Sequence, residues 1–153
     1  MSIRGSDPDA TLYCLANMIE AGEDPNYIFR RLLIAASEDI GLADPHAIVV
    51  VNSCYGAFEK VGYPEGLYFL SQASLFLATS PKSNSTKYIH NAIEILNSNK
   101  SSLVPEHLKY KSKTYKNPHN YSKNDLIQTY MPNNLIEHKI WHPNNIVWEH
   151  DKN

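Results

Sequence analysis

The chain has 153 residues and a mass of 17.4 kDa, the length of one domain or of one domain with a long tail. Hydrophobic residues make up 42% of it, enough for a core, and a formal net charge of −2 with pI ≈ 6.4 excludes a global charge argument for nucleic acid or membrane. The charge is unevenly spread: residues 1–99 hold 6 basic and 11 acidic side chains, residues 100–123 hold 6 and 1, and residues 124–153 hold 2 and 4.

Five prolines (Pro8, Pro25, Pro45, Pro64 and Pro81) divide the first half at nearly even intervals, three of them preceded by Asp7, Asp24 or Asp44. Proline suits the first turn of a helix, and an aspartate before it can accept from the free N–H groups there. Gly22, Gly41 and Gly62 lie shortly before the next proline, where a left-handed residue would stop the preceding helix. The pattern predicts an all-α bundle of about five antiparallel helices over residues 1–99.

The first helix is expected near Pro8, with Leu12, Leu15, Ala16 and Ile19 on one face. The second begins near Pro25, with Phe29, Leu32, Leu33, Ala36 and Ile40 as its stripe. The loop between them is short enough to make these two helices antiparallel neighbours. The third runs from Pro45 to Val61. Ile48 to Val51 alone could be a strand, but Ala47, Val50, Val51, Cys54, Phe58 and Val61 keep the helical period. The fourth, from Pro64 to about Thr79, is apolar nearly all round, which calls for the middle of a bundle or a second subunit. The fifth follows Pro81, with Ser83 or Ser85 as cap and Ile89, Ala92, Ile93 and Leu96 as a buried stripe. Residues 100–153 show no helical period longer than two turns. Tyr110, Tyr115, Tyr121, Tyr130, Trp141 and Trp148 make them too apolar for a disordered tail, so an irregular strap packed on the bundle is expected.

Cys14 and Cys54 fall among apolar residues and are expected to be reduced, buried thiols. The polar N-terminus has no signal-peptide character, and the apolar runs fall short of the ~20 residues of a membrane span, so a soluble, cytoplasmic protein is expected. No phosphate loop, dinucleotide fingerprint or nucleophile elbow occurs. His138 and His142 stand four apart without a cysteine pair, and Pro143 follows directly, so surface histidines are expected rather than a metal site.

Three features invite contacts beyond the helices. Glu38 and Asp39 stand in the last turn of the second helix, against the negative end of its dipole, where a carboxylate needs a cationic partner or a free N–H group. Either they pair within the chain or cap the next loop, or they form a salt bridge to another subunit or domain, with Arg4, Arg30 and Arg31 as candidate mates. Lys82, beside Ser83, Asn84 and Ser85, would make an anion site at the start of the fifth helix, or these residues serve ordinary capping. The segment Lys109–Lys123 mixes five lysines with Tyr110, Tyr115 and Tyr121. Lys109, Lys111, Lys113 and Lys116 could contact single-stranded DNA, or the basic strap could neutralise the acidic bundle.

The junctions carry a family likeness. SIRGSDPDA (residues 2–10), EAGEDP (20–25), ASEDIGLADP (36–45) and ATSPKSN (78–84) resemble, in order and spacing, the C-terminal region of the replication-associated recombination protein A family. These are bacterial AAA+ ATPases related to clamp loaders, with eukaryotic relatives that maintain genome stability. The likeness continues through VPEHL (104–108) and Tyr130-Met131-Pro132. It implies a collar-like helical domain that assembles the ATPase into a homotetramer, with Phe69 and Phe76 of the fourth helix among the candidate contacts. It also implies that ATP and Mg²⁺ are held by an N-terminal module outside this chain, which is then a fragment without ATPase activity and with no cofactor of its own. DNA and single-stranded DNA-binding protein are partners the resemblance suggests, at a cytoplasmic, nucleoid-associated location and with no membrane contact. After His107-Leu108 the family usually carries a longer Gly- and Tyr-rich stretch. Here it is a shorter Lys-rich linker, so no role of that stretch carries over.

Overall fold

A computed structural model describes residues 1–99, 103–122 and 126–143. Lys123 and Trp148, singled out above, lie outside the described residues. All regular structure among the described residues is helical, as the proline pattern predicts. Pro8 is the first residue of α1 (Pro8–Glu20), and Asp7 accepts from the Ala10 N–H at 2.9 Å. Pro25 opens α2 (Pro25–Ala35) in the same way, with Asp24 accepting from the Asn26 N–H at 2.9 Å. Each cap satisfies an N–H that the helix itself leaves open. Asp44 accepts from the His46 N–H at 3.0 Å, and α3 (Ala47–Val61) starts one residue later. Pro64 lies in the turn before α4 (Leu67–Thr79).

The predicted glycine stop is fully formed at the end of α1. Gly22 has φ 77°, its N–H donates to Ile19 O at 2.9 Å, and Glu23 N–H donates to Met18 O at 2.9 Å. These two crossed bonds close the helix end, and only a residue without Cβ takes that φ without strain.

The chain divides into two compact units. One comprises Met1–Tyr88 and the described residues from Trp141, the other Ile89–Ile140. The first holds the core: Leu15, Ile28, Phe29, Leu32, Ala36, Ile40, Ala47, Val51, Cys54, Phe58, Leu70, Ala73 and Leu77 are buried together. Phe29 stacks on Tyr55 at 4.9 Å between centroids and tilts against Phe58 at 5.5 Å, locking α2 to α3. The fourth helix answers its apolar composition by lying centrally, against α1, α2 and α3. It buries Leu70, Ala73, Ser74, Leu77 and Ala78, while Tyr68 at its N-terminal end stays 76% exposed. Small residues on the buried face let neighbouring backbones approach.

Two expectations change. Cys54 is buried, and its thiol is pushed up from the ordinary value by burial, but Cys14 is exposed. The fifth helix forms later than Pro81 implies: a 3₁₀ turn, Ser85–Lys87, precedes α5 (Tyr88–Ser98). No residue of α5 is buried, and Ile89 is 60% and Leu96 57% exposed, so the stripe that shapes this helix is not a core stripe. All of α5 after Tyr88 falls in the second unit, outside the compact unit that holds the core.

After α5 the described residues of the second unit are irregular, with single 3₁₀ turns at Glu106–Leu108, Pro118–Asn120 and Asn133–Leu135. Two passes of chain are tied by side chains. His107 Nε2 donates to Thr129 O at 2.7 Å, and the Gln128 amide accepts from the Lys116 N–H at 2.9 Å while donating to Lys116 O at 3.3 Å. These bonds bring the neighbourhoods of the VPEHL and Tyr-Met-Pro motifs together.

The central place of α4 has a direct test. Leu70→Ala is expected to cost about 2–5 kcal/mol in urea unfolding, and Tyr68→Ala under about 0.5 kcal/mol. Equal losses would contradict the burial of one face and not the other.

Candidate functional site

Three of the four junction motifs meet at one end of the first unit. The element that gathers them is a wide π turn, Ala36–Ile40, continuing α2 and closed by Gly41, whose N–H reaches back to Ala36 O. A π turn holds one more residue than an α turn, so it rotates the side chains that follow. Ile40 stays fully buried, while at the helix's carbonyl end Glu38 is partly exposed and the Asp39 side chain is largely covered. A 3₁₀ turn, Gly41–Ala43, then leads to the Asp44 cap. Gly41 has φ 48°, and a Cβ there would meet the Thr86 methyl at 3.0 Å, so glycine serves both the turn and the close approach.

The cation that Glu38 and Asp39 require comes from within the chain. Residues 1–7 coil into a turn closed by Gly5 N–H to Met1 O at 3.0 Å and Asp7 N–H to Ser2 O at 3.2 Å, with Ser6 at φ 55°. From it Arg4 donates through Nε to Asp39 Oδ1 at 2.7 Å and through Nη2 to Glu38 Oε1 at 3.1 Å. The hydrogen bond to Asp39, then its charge, with Glu38 behind, hold the Arg4 guanidinium above its ordinary value against a smaller loss from burial. Lys87 Nζ approaches Glu38 Oε1 at 3.3 Å, a partner no sequence pattern marks.

Backbone bonds complete the junction. Ser83 N–H donates to Asp39 O at 2.9 Å, and Thr86 Oγ1 donates to Ser37 O at 2.7 Å. Lys82 sits here, but not as an anion site on the fifth helix. Its ammonium turns back and donates to Leu77 O at 3.0 Å, Ala78 O at 3.2 Å and Ser80 O, capping the carbonyl end of α4. Burial pushes Lys82 down from the usual lysine range, and Asp39 opposes that shift. Arg4, Asp39, Lys82, Ser83, Asn84 and Lys87 line a shallow recess of about 290 Å³. Arg4 and Lys87 engage the carboxylates of Glu38 and Asp39 here, which cross-links the junction electrostatically. Among the described residues no cluster of His, Cys, Asp and Glu could hold a metal ion.

The remaining candidates lie elsewhere. Arg30 and Arg31 are exposed on α2, and among the described residues neither has a hydrogen bond or ion pair. Arg31 lines an open groove of about 410 Å³ with Ile3, Cys14, Met18, Tyr27 and Ile34. Phe69 and Phe76 are half-buried against the core. Lys109, Lys111, Lys113 and Lys116 stand exposed in the second unit.

A family model described as "MgsA AAA+ ATPase C terminal" matches residues 5–153. The chain belongs to this family. Its relatives include a protein of Bacillus subtilis named replication-associated recombination protein A, 42% identical over 153 residues, covering 93% of this chain and 36% of that protein. An uncharacterized AAA domain-containing protein of Mycobacterium tuberculosis is 39% identical over 153 residues, covering 93% of this chain and 34% of its own. The Dictyostelium discoideum protein named ATPase WRNIP1 is 43% identical over 110 residues, 71% of this chain and 12% of that protein. The chain spans about a third of the length of the Bacillus subtilis and Mycobacterium tuberculosis relatives. As a family C-terminal region, its π turn, N-terminal turn and Lys82 segment are the places where SIRGSDPDA, ASEDIGLADP and ATSPKSN acquire a joint role.

The junction predicts non-additive losses. Arg4→Ala and Asp39→Asn should each lower the thermal midpoint, and their double variant should fall no further than the worse single one; simple additivity would disprove the link. Lys82 predicts a pH effect. With its folded pKa below the ordinary 10.5, the unfolded chain binds more protons in the window just under that value, so its contribution to stability rises with pH there. Lys82→Met should flatten that rise in urea titrations run across the window.

Proposed function

We propose that this chain is the oligomerisation domain of a AAA+ ATPase that acts in DNA replication and recombination, and that it performs no catalysis itself. In this reading ATP and Mg²⁺ bind a separate N-terminal module, and the helical units bring several copies of that module together as a homotetramer. The names of the relatives and the third of their length that this chain covers support the parentage. The observation that carries self-association is the groove beside α1 and α2. It combines an apolar floor with Arg31, which is exposed and has no ion pair among the described residues, on a stretch (residues 1–99) that is otherwise acidic. A second copy supplies both apolar cover and a carboxylate for that arginine. Neither α4 nor the Glu38–Asp39 pair requires a partner, since α4 is buried centrally and the acids are bound by Arg4 and Lys87. No helix among the described residues is long and apolar enough to cross a membrane.

Light scattering at tens of micromolar should give a mass above that of one chain, and Ile34→Glu with Arg31→Glu should return it to a monomer with unchanged helical circular dichroism. A parent chain that is strictly monomeric would overturn the proposal. Cys14, in the same groove, should alkylate more slowly as protein concentration rises, whereas buried Cys54 should stay slow throughout. ATP hydrolysis by the isolated chain above background would overturn its non-catalytic role.

A further inference from the structure

The basic segment of the second unit is not used up by the fold. Among the described lysines of this segment, Lys109 has an acidic partner, Glu106, three residues away within the same segment. Lys111, Lys113 and Lys116 are exposed and form no ion pair with any described residue.

The aromatics between them are presented, not buried. Tyr110 is 91% exposed, and Tyr115 and Tyr121 are also exposed. Tyr110 lies almost wholly in water and Tyr115 and Tyr121 keep 46% and 45% of their surface there, so three rings in a dozen residues offer flat apolar faces. Lys111 takes φ 63° in a turn closed by Ser112 N–H to Lys109 O at 3.0 Å, which places its ammonium 5.4 Å from the Tyr110 ring centroid. Cation and ring are thus offered as one unit.

The backbone beneath is held in place. Gln128 grips the Lys116 N–H and C=O together, leaving the lysine side chain free, and its amide also donates to Tyr130 Oη at 3.1 Å. Asn117 then caps the next 3₁₀ turn through the His119 N–H at 3.0 Å. A strip whose backbone is already ordered loses less entropy when a ligand settles on its side chains.

We propose that Lys109–Tyr121 is a contact site for single-stranded nucleic acid, with Lys111, Lys113 and Lys116 on the phosphates and Tyr110 and Tyr115 stacking on bases. The spacing favours a single strand: bases must be unpaired to reach a ring, whereas lysine–phosphate contact alone would serve a duplex equally well. An acidic peptide would engage the lysines but leave the tyrosines without a counterpart. This site is independent of the α1–α2 groove and of the oligomeric state.

The test uses the whole 153-residue chain and labelled oligo(dT) and oligo(U) of about 15 nucleotides, followed by fluorescence anisotropy. Binding to either at low salt is expected, and three or four lysine contacts predict a log–log salt slope of about −2 to −3. Lys111→Gln, Lys113→Gln and Lys116→Gln together should abolish binding, and Lys111→Arg alone should preserve it. Tyr110→Ala should weaken it about fivefold or more with little change of slope, the mark of stacking rather than charge. No binding at low salt overturns the proposal. So does equal affinity for a duplex of the same length, or a triple glutamine variant that binds as well as its parent.

Discussion

Two carboxylates at the carbonyl end of a helix form the constraint on which this arrangement depends. Glu38 and Asp39 face the negative pole of α2, and Asp39 is largely buried, so neither is stable there without a cation. Arg4 meets both at once, and to do so it must leave a coiled N-terminal turn at a definite angle. That turn ends at Asp7, the residue that starts α1. The same π turn accepts bonds from Ser83 and Thr86 on its backbone carbonyls, which fixes the passage out of α4. One electrostatic requirement therefore ties the entry to α1, the end of α2 and the exit from α4. The planar fork of arginine suits this role because it meets two carboxylates with separate N–H groups, which a lysine point charge could not do with equal definition.

The core solves a different problem. A helix apolar nearly all round must be surrounded, and α4 is, by three helices whose starts and stops are set by proline, aspartate and glycine. Ala73, Ser74 and Ala78 on its buried face keep the neighbours close, while Leu70 and Leu77 fill the space between them. Lys82 then closes its C-terminal carbonyls, where neither a glycine nor another helix does. Burial and capping in this way make the most hydrophobic element of the chain self-sufficient within one copy.

The helical architecture was legible from short-range chemistry: Asp7–Pro8, Asp24–Pro25 and Gly22 act within four residues, so their effect survives any tertiary context. The π turn was not legible. Phe29, Leu32, Ala36 and Ile40 keep a helical stripe through it, and the added residue is absorbed in the backbone without breaking that pattern. Arg4, Arg30 and Arg31 were candidates for Glu38 and Asp39 across a subunit or domain boundary, but that Arg4 reaches them within the chain rests on pairings 34 and 35 residues apart in sequence, and Lys87 carried no mark at all. Lys82 was read by its proximity to the following helix, yet a four-carbon stem reaches backward as easily as forward. The stripe of α5 shows the opposite error: amphipathic period predicts a helix, and it says nothing of whether a core lies beside it.

Nine of the described cations fall into two physical classes, and the division bears on where the chain meets other molecules. Arg4, Lys82, Lys87 and Lys109 are engaged by carboxylates or carbonyls of their own unit. A partner that took hold of one of them would first have to displace that internal contact, so its net gain would be small and its cost would be paid in stability. Arg30 and Arg31 on α2, and Lys111, Lys113 and Lys116 in the second unit, have no such contact among the described residues. A partner gains their full interaction, less only the entropy of ordering exposed side chains. Truncating a cation of the first class should therefore register in unfolding, and truncating one of the second in association. The two unpaired sets lie on different units and beside different neighbours, an apolar groove in one case and exposed tyrosines in the other. Their surroundings select for different chemistry: apolar burial with carboxylates at the first, flat rings with phosphates at the second.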